Sequence, residues 1–208
     1  MKEIFFTSDT HFGTNKALAR ENRPFRNWKV FYRKTIKQWN KQAKKDDLIY
    51  HLGDFIDYVP GRESNWKFCL NLVKNIKAKV VLIIGNNEER LIKDCFNDDF
   101  DKFRNYCLNV GFSDVKKEDY IEIEDFHFYL NHKPHNFKKD YITLFGHTHR
   151  ATGLWKPFGI NVGCDLNHFI LFDMQELKRL LIDKEKYWDK DLDNLCMGDQ
   201  SEKTDFQV

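Results

Sequence analysis

The sequence predicts an α/β layered fold, and three observations carry that prediction. Short apolar runs alternate with amphipathic stretches of helical period, the runs are too short for helices, and no internal repeat or low-complexity linker interrupts the alternation. The runs are Ile4 to Phe6, Leu48 to Tyr50, Val80 to Ile84, Phe126 to Leu130 and Tyr141 to Phe145, each predicted as a strand.

Four helices are expected between and after them. Trp28, Phe31, Tyr32, Ile36 and Trp39 recur at i, i+3, i+4, i+8 and i+11, which gathers five bulky groups on one face and leaves lysines on the other. A second helix runs from Ser64, read as an N-cap, through Trp66, Cys69, Leu70, Val73 and Ile76. The third carries Phe100, Phe103, Tyr106 and Val110 and ends at Gly111, a residue suited to a left-handed stop. Near Asp173 a fourth begins, with Glu176 three residues on resembling a capping box, and continues through Leu177, Leu180 and Leu181.

At 208 residues the chain fits one domain with a real core, expected over residues 1–182, followed by a charged, partly flexible tail over 183–208. No stretch reaches the roughly 18 apolar residues that a membrane span requires. The opening MKEIFFTSD runs into an acid rather than a signal-peptide core. Five cysteines lie far apart without a C-x-x-C pair, and their odd number predicts reduced thiols in a cytoplasmic protein. Net charge is only +2, but residues Lys16 to Lys45 hold eleven Lys and Arg against the single acid Glu21. That segment can attract an anionic substrate, although basic groups opposite an aromatic face are more often a solvated helix surface. Nucleic acid is therefore a partner only weakly indicated.

The residues that follow the strands are more informative. Ile4 to Phe6 is followed by Asp9 and His11, Leu48 to Tyr50 by Gly53-Asp54, and Val80 to Ile84 by Gly85-Asn86-Asn87-Glu88. Phe126 to Leu130 leads to His132, and Tyr141 to Phe145 to Gly146-His147-Thr148-His149. In open α/β sheets the ligand crevice lies beyond the carboxyl ends of the strands, so scattered residues at those ends can converge. Singly, each ending is an ordinary turn or a satisfied polar group. Together they supply two carboxylates, four imidazoles and an amide, a thiolate-free set suited to Mn, Fe, Zn or Ni. Seven ligands exceed the coordination of one ion; a carboxylate shared between two divalent ions resolves the count.

These motifs, Asp9-x-His11, Gly53-Asp54, Gly85-Asn86, His132 and Gly146-His147-x-His149, stand in the order and spacing of the calcineurin-like metallophosphoesterases. With the S-D-T-H-F-G opening, H-L-G-D-F and the N-V-G-C-D stretch at Asn161 to Asp165, the chain resembles small bacterial and phage members up to about residue 180. The resemblance implies a four-layer αββα sandwich of two mixed β-sheets flanked by helices. It also implies one ion, manganese favoured, held by Asp9, His11, Asp54 and His149, and a second by Asp54, Asn86, His132 and His147, with Asp54 as the bridging carboxylate. A water between the ions would attack phosphorus in line.

Two positions depart from the family pattern. Asn87 occupies the place of a histidine that assists the leaving group, and an amide cannot deliver a proton near neutral pH. Thr14 stands where many members carry another histidine. A phosphodiesterase branch that also lacks the first histidine makes phosphodiester hydrolysis the leading expectation. The alternatives are a phosphomonoesterase or nuclease of the same family, or a non-catalytic scaffold like the family's retromer subunit. Lys133, His135 and Arg150 flank the ligands and are candidates for phosphate contact; no substrate-binding residue is assigned.

Overall fold

The computed structural model describes residues 2–150, 154–155 and 159–187. The part of the expected tail beyond residue 187 and Cys196 lie outside the described residues. Among the described residues, no helix is long and apolar enough to cross a membrane.

Two sheets form the centre. The first contains β1 (Ile4–Thr7), β2 (Leu48–Leu52), β3 (Lys79–Ile83) and β4 (Asp114–Lys116), in that spatial order and all parallel. An antiparallel bridge from Phe6 to Phe172 adds to its β1 edge. The second contains β5 (Asp119–Ile123), β6 (Phe126–Leu130), β7 (Ile142–Phe145), β8 (Leu154–Trp155) and β9 (Gly159–Asn161), ordered β5-β6-β7-β9-β8 with mixed directions. A parallel bridge from Ser8 to Gly163 ties the end of β1 to the chain leaving β9, so the strand ends of the two sheets meet.

Side-chain alternation explains the layering. On the first sheet Phe5, Ile49, Val80 and Leu82 face α2 (Trp28–Gln42), α3 (Glu63–Asn71), α4 (Asn86–Phe96) and α5 (Phe100–Val110) in one buried cluster. Phe6, Tyr50, Leu52, Val81 and Ile83 point the other way and pack on Phe128, Leu130, Leu144 and Ile160 of the second sheet. The last helix, Met174–Tyr187, sits beside the β5–β6 turn, where Lys178 pairs with Glu124, and inserts Leu177 into the cluster between the sheets. This is the expected α/β sandwich with one correction: the first sheet is all parallel rather than mixed, because helical crossovers join β1 to β4, and only the second sheet is mixed. A five-residue helix α1 (Lys16–Arg20) precedes α2.

The amphipathic reading of α2 is borne out: Phe31, Ile36 and Trp39 are buried, while Lys29, Arg33, Lys34, Lys37 and Lys41 are exposed. Asn27 caps it, accepting from Val30 N at 3.0 Å. Gly111 ends α5 at φ 116°, as its place in the pattern required. The N-cap role expected of Ser64 is not observed, because α3 starts one residue earlier at Glu63 and its cap position is Arg62. At the last helix Glu176 N donates to Asp173 Oδ1 at 2.8 Å, which supplies the cap that the Asp-x-x-Glu pattern indicated.

Candidate metal centre

All seven candidate ligands lie where the strands stop. Asp9 and His11 follow β1, Asp54 follows β2, Asn86 opens α4 after β3, His132 follows β6, and His147 and His149 follow β7. Hydrogen bonds between loops bring these ends together: Asp9 N donates to Gly53 O at 3.0 Å, His11 N to Asp54 O at 2.9 Å, and Gly146 N to His132 O at 3.0 Å.

Asp54 lies between the two imidazoles on either side of it. Its Oδ2 is 3.4 Å from His11 Nε2 and 3.8 Å from His132 Nε2. Asp9 Oδ1 is 3.9 Å from both His11 Nε2 and His149 Nε2. Asn86 Oδ1 is 3.1 Å from His132 Nε2 and 3.0 Å from His147 Nδ1. Asp9, His11 and His149 form one group of converging donors, and Asp9, Asp54 and His132 another.

Three observations test whether a metal fits. His11 Nε2 is buried with no hydrogen-bond partner, an arrangement costly for a ring nitrogen unless an ion takes its lone pair. His132 Nδ1 is 2.8 Å from Leu52 O, a contact that fixes the proton there and leaves Nε2 unprotonated, its lone pair facing the oxygens of Asn86 and Asp54. Finally, Asp9, His11, Asp54, His147 and His149 all adopt positive φ, between 48° and 68°. Each such backbone costs about 1–3 kcal/mol, and five at one point mark a functional constraint rather than chance. Nitrogen and oxygen donors without sulfur suit a divalent transition ion. The residues fit the group.

The electrostatics agree. Burial holds the His11 imidazole well below its usual range, helped by repulsion from His149 and Arg23, so the ring is neutral and ready to coordinate. Burial also lowers His147 and raises the Asp9 carboxyl, the latter against the pull of His132 and His149. His149 behaves differently. Burial lowers it, but Asp165, Asp9 and Glu21 outweigh burial and raise it overall.

Glu88 holds the Asp54 loop. This fully buried carboxylate accepts from Asp54 N at 2.8 Å, Gly85 N at 2.9 Å and Ile56 N at 3.3 Å. Burial and the Asp54 charge raise it to about 7, opposed by those three backbone bonds. Asn87 holds Asp54 from the other side, with Nδ2 donating to Oδ2 at 2.7 Å and its backbone N to Oδ1 at 2.8 Å. Its own Oδ1 accepts from Tyr58 N and Arg90 Nη2, so the amide is turned inward and buried.

A pocket of about 250 Å³ opens over the centre, lined by His11, Asp54, Asn86, Asn87, His147 and His149 together with Arg20, Asp57 and Arg90. Thr14 donates to Asp57 through Oγ1 and so shapes the wall of this pocket. Sequence reasoning missed Arg20, Asp57, Glu88, Arg90 and Arg23, which is described below. Glu88 had a signal of its own, as the acid three residues after Gly85 at a helix start, whereas Arg20 and Arg23 had only their place in the basic segment. Lys133 lies in the neighbouring cleft, paired with Glu89; His135 and Arg150 do not line the pocket over the centre.

The comparisons with known proteins bear on this arrangement. A family model described as calcineurin-like phosphoesterase matches residues 2–161. An uncharacterised protein of Methanocaldococcus jannaschii is 32% identical over 89 residues, covering 43% of this chain and 48% of that protein. The chain thus spans about half the length of the curated relative it matches. Among solved structures, a protein of unknown function from Aquifex aeolicus aligns with a TM-score of 0.60 at 20% identity, covering 86% of this chain and 100% of its own, a likeness of fold. Because the family model runs through both sheets and every strand end of the centre, the chain belongs to the calcineurin-like phosphoesterase family.

Proposed function

We propose that the protein is a phosphodiesterase that binds two divalent ions, manganese favoured, and hydrolyses a small or nucleotide-derived phosphodiester. The observation that carries the reading is the position of Asp54 between His11 and His132, with a buried unpartnered His11 Nε2 on one side and an unprotonated His132 Nε2, shared with Asn86 Oδ1, on the other. Asp9, His11, Asp54 and His149 would hold one ion; Asp54, Asn86, His132 and His147 the other. When bound, the pair supplies an activated water and positive charge against the phosphate oxygens.

The chain's own groups set the substrate class. Arg20 and Arg90 reach the pocket wall and would bind phosphate oxygens there. Asp57 on the same wall opposes a second negative charge, which favours the monoanion of a diester over the dianion of a monoester. Asn87 donates to Asp54 and has no proton to give a leaving group, so esters with poor leaving groups are hydrolysed slowly. Beyond His132 a second cleft of about 320 Å³, floored by Ile84, Ile92 and Phe100, has room for the second ester substituent.

A nuclease is the second reading, favoured by one feature. Phe68, 47% exposed, meets the half-buried Trp28 and Tyr32 edge to face, and the Arg33 guanidinium lies 5.8 Å from the Tyr32 ring. An exposed ring at the edge of a basic segment offers a base a surface to stack on. Metal analysis after purification without chelator tests the enzymatic reading against a scaffold: two ions per chain and Mn²⁺-dependent hydrolysis are expected. Fewer than two ions and no activity with Mn²⁺ would point to the scaffold. Hydrolysis of a single-stranded oligonucleotide faster than of a small diester would favour the nuclease.

A further inference from the structure

We propose that Arg23 and Asp165 form a buried positioning pair that presets the half of the centre built from Asp9, His11, Asp54 and His149, making it the tighter of two unequal metal sites. The inference rests on the two-ion reading above and adds to it a residue pair and an order of loading.

Arg23 is 5% exposed although it sits in the basic segment. Its guanidinium makes a forked bond to Asp165, Nε to Oδ1 at 2.8 Å and Nη2 to Oδ2 at 2.6 Å, and both side chains are fully buried. The same group donates to Asp9 O at 2.7 Å and Thr10 O at 2.8 Å. It therefore grips the loop that carries Asp9 and His11 in their positive-φ conformations. Phe31 packs on the guanidinium face at 4.9 Å and Phe169 lies 5.9 Å away, which leaves it little freedom to move.

Asp165 faces the other way as well. Its Oδ2 lies 3.5 Å behind His149 Nδ1, a charge contact without a formed hydrogen bond, while Nε2 stands 3.9 Å from Asp9 Oδ1 and 3.1 Å from Arg20 Nη2. A carboxylate behind a ligating imidazole fixes its tautomer and raises its basicity. The chain reaches this place because Cys164 N donates to Ser8 O at 2.9 Å, anchoring the Asn161 to Asp165 stretch to the end of β1. One ion pair thus fixes the backbone of Asp9 and the loop to His11, and places a carboxylate behind the ring of His149.

In the other half the Asp54 loop is braced by Glu88 and Asn87, but neither imidazole is backed by a carboxylate. His132 is backed by a neutral carbonyl, Leu52 O. His147 is exposed, and its Nδ1 contacts the amide oxygen of Asn86 rather than a carboxylate. The Asp9 half is charged, buried and braced, and the His147 half is neutral-backed and open. Unequal affinities follow.

The test is calorimetric titration of Mn²⁺ into chelator-stripped protein, with thermal melting to report folding. Wild type is expected to take up two ions in resolved steps. Asp165→Asn keeps the size and removes the charge, and should weaken the tighter step by about 10- to 100-fold while leaving the weaker step within about twofold. Asp165→Glu, which restores the charge, should recover part of the lost affinity. If Asp165→Asn does not fold, Arg23→Lys carries the test, because it keeps the charge but loses the fork, and it too should weaken the tighter step alone. Equal weakening of both steps, or no weakening in a folded variant, would overturn the proposal. A wild-type protein that binds one ion or none would instead remove the two-ion reading beneath it.

Discussion

Gly53 is the position at which the geometry of the centre makes its sharpest demand. Its φ is +90°, and a Cβ built there would lie 2.5 Å from His132 Nδ1, 2.7 Å from Gly85 Cα and 2.8 Å from Gly85 N. The two glycines before Asp54 and Asn86 therefore pack backbone against backbone, and this contact sets the distance between two strand ends. Gly53→Ala meets two costs. Strain at positive φ contributes about 1–3 kcal/mol, and crowding against backbone that cannot move aside contributes about 1–3 kcal/mol more. At roughly 2–4 °C per kcal/mol for a chain of this size, the sum lowers Tm by about 4–24 °C. Gly61 supplies the control, since its φ is +75° but nothing lies within 4 Å of the added carbon. Gly61→Ala should show the strain alone, about 2–12 °C. Calorimetric melting measures both, and Mn²⁺ titration should show weakened binding for Gly53→Ala through displaced His132, with Gly61→Ala unchanged. Equal losses of Tm and unchanged Mn²⁺ affinity in both variants would refute the crowding argument.

Other expectations concern chemistry and pH. Asn87→His should raise hydrolysis of poor-leaving-group esters relative to aryl esters by on the order of 10-fold or more, out of the roughly 10²- to 10⁴-fold that general acids provide; an unchanged ratio of rates would remove the missing acid as the explanation. Stripping the ions and restoring Mn²⁺ at about 100 times its Kd should add about 2.7 kcal/mol of stability, read as a rise in Tm of roughly 5–11 °C. A Tm indifferent to Mn²⁺ would contradict a site formed in the folded chain. Asp47 accepts from Glu3 N at 2.9 Å and Lys44 N at 2.7 Å, and those backbone bonds hold its carboxyl below the usual 3.8. The unfolded chain then binds more protons, so this contribution is present above pH 3.8 and is lost as pH falls through the lower folded value. Asp47→Asn should flatten the acid limb of metal-free stability, and an identical limb would refute the assignment.

The strand ends were legible because each apolar run stops abruptly on residues whose chemistry is unusual for a turn. Asp9, Asp54, His132 and His149 needed no distance to be noticed, only the rule that parallel strands present their carboxyl ends together. Helix α4 was hidden by its own first residues. Gly85-Asn86-Asn87 carries turn chemistry, and the apolar positions behind it, Leu91, Ile92 and Phe96, make only a narrow stripe. β5 reads as polar because its faces alternate between half-buried and exposed, and β9 is only three residues long.

Arg23 shows what local pattern cannot carry. It lies among solvated lysines and arginines, and nothing near it in the chain sets it apart. Its partner Asp165 is 142 residues away, and only the bridge between the sheets brings them together. The positive φ angles of the ligands are likewise a property of the assembled loops. Asn87 was legible as a departure from a pattern but not in its role: the clamp on Asp54 follows from its two bonds to that carboxylate, with Tyr58 and Arg90 orienting the amide.

The central claim is that this centre is a two-ion site built for diesters. Its most direct test compares Mn²⁺-dependent hydrolysis of an aryl phosphodiester with that of the matching aryl monoester by one preparation whose bound ions have been counted. Two ions per chain and a higher kcat/KM for the diester are expected. Fewer than two ions, or faster turnover of the monoester, would contradict the account.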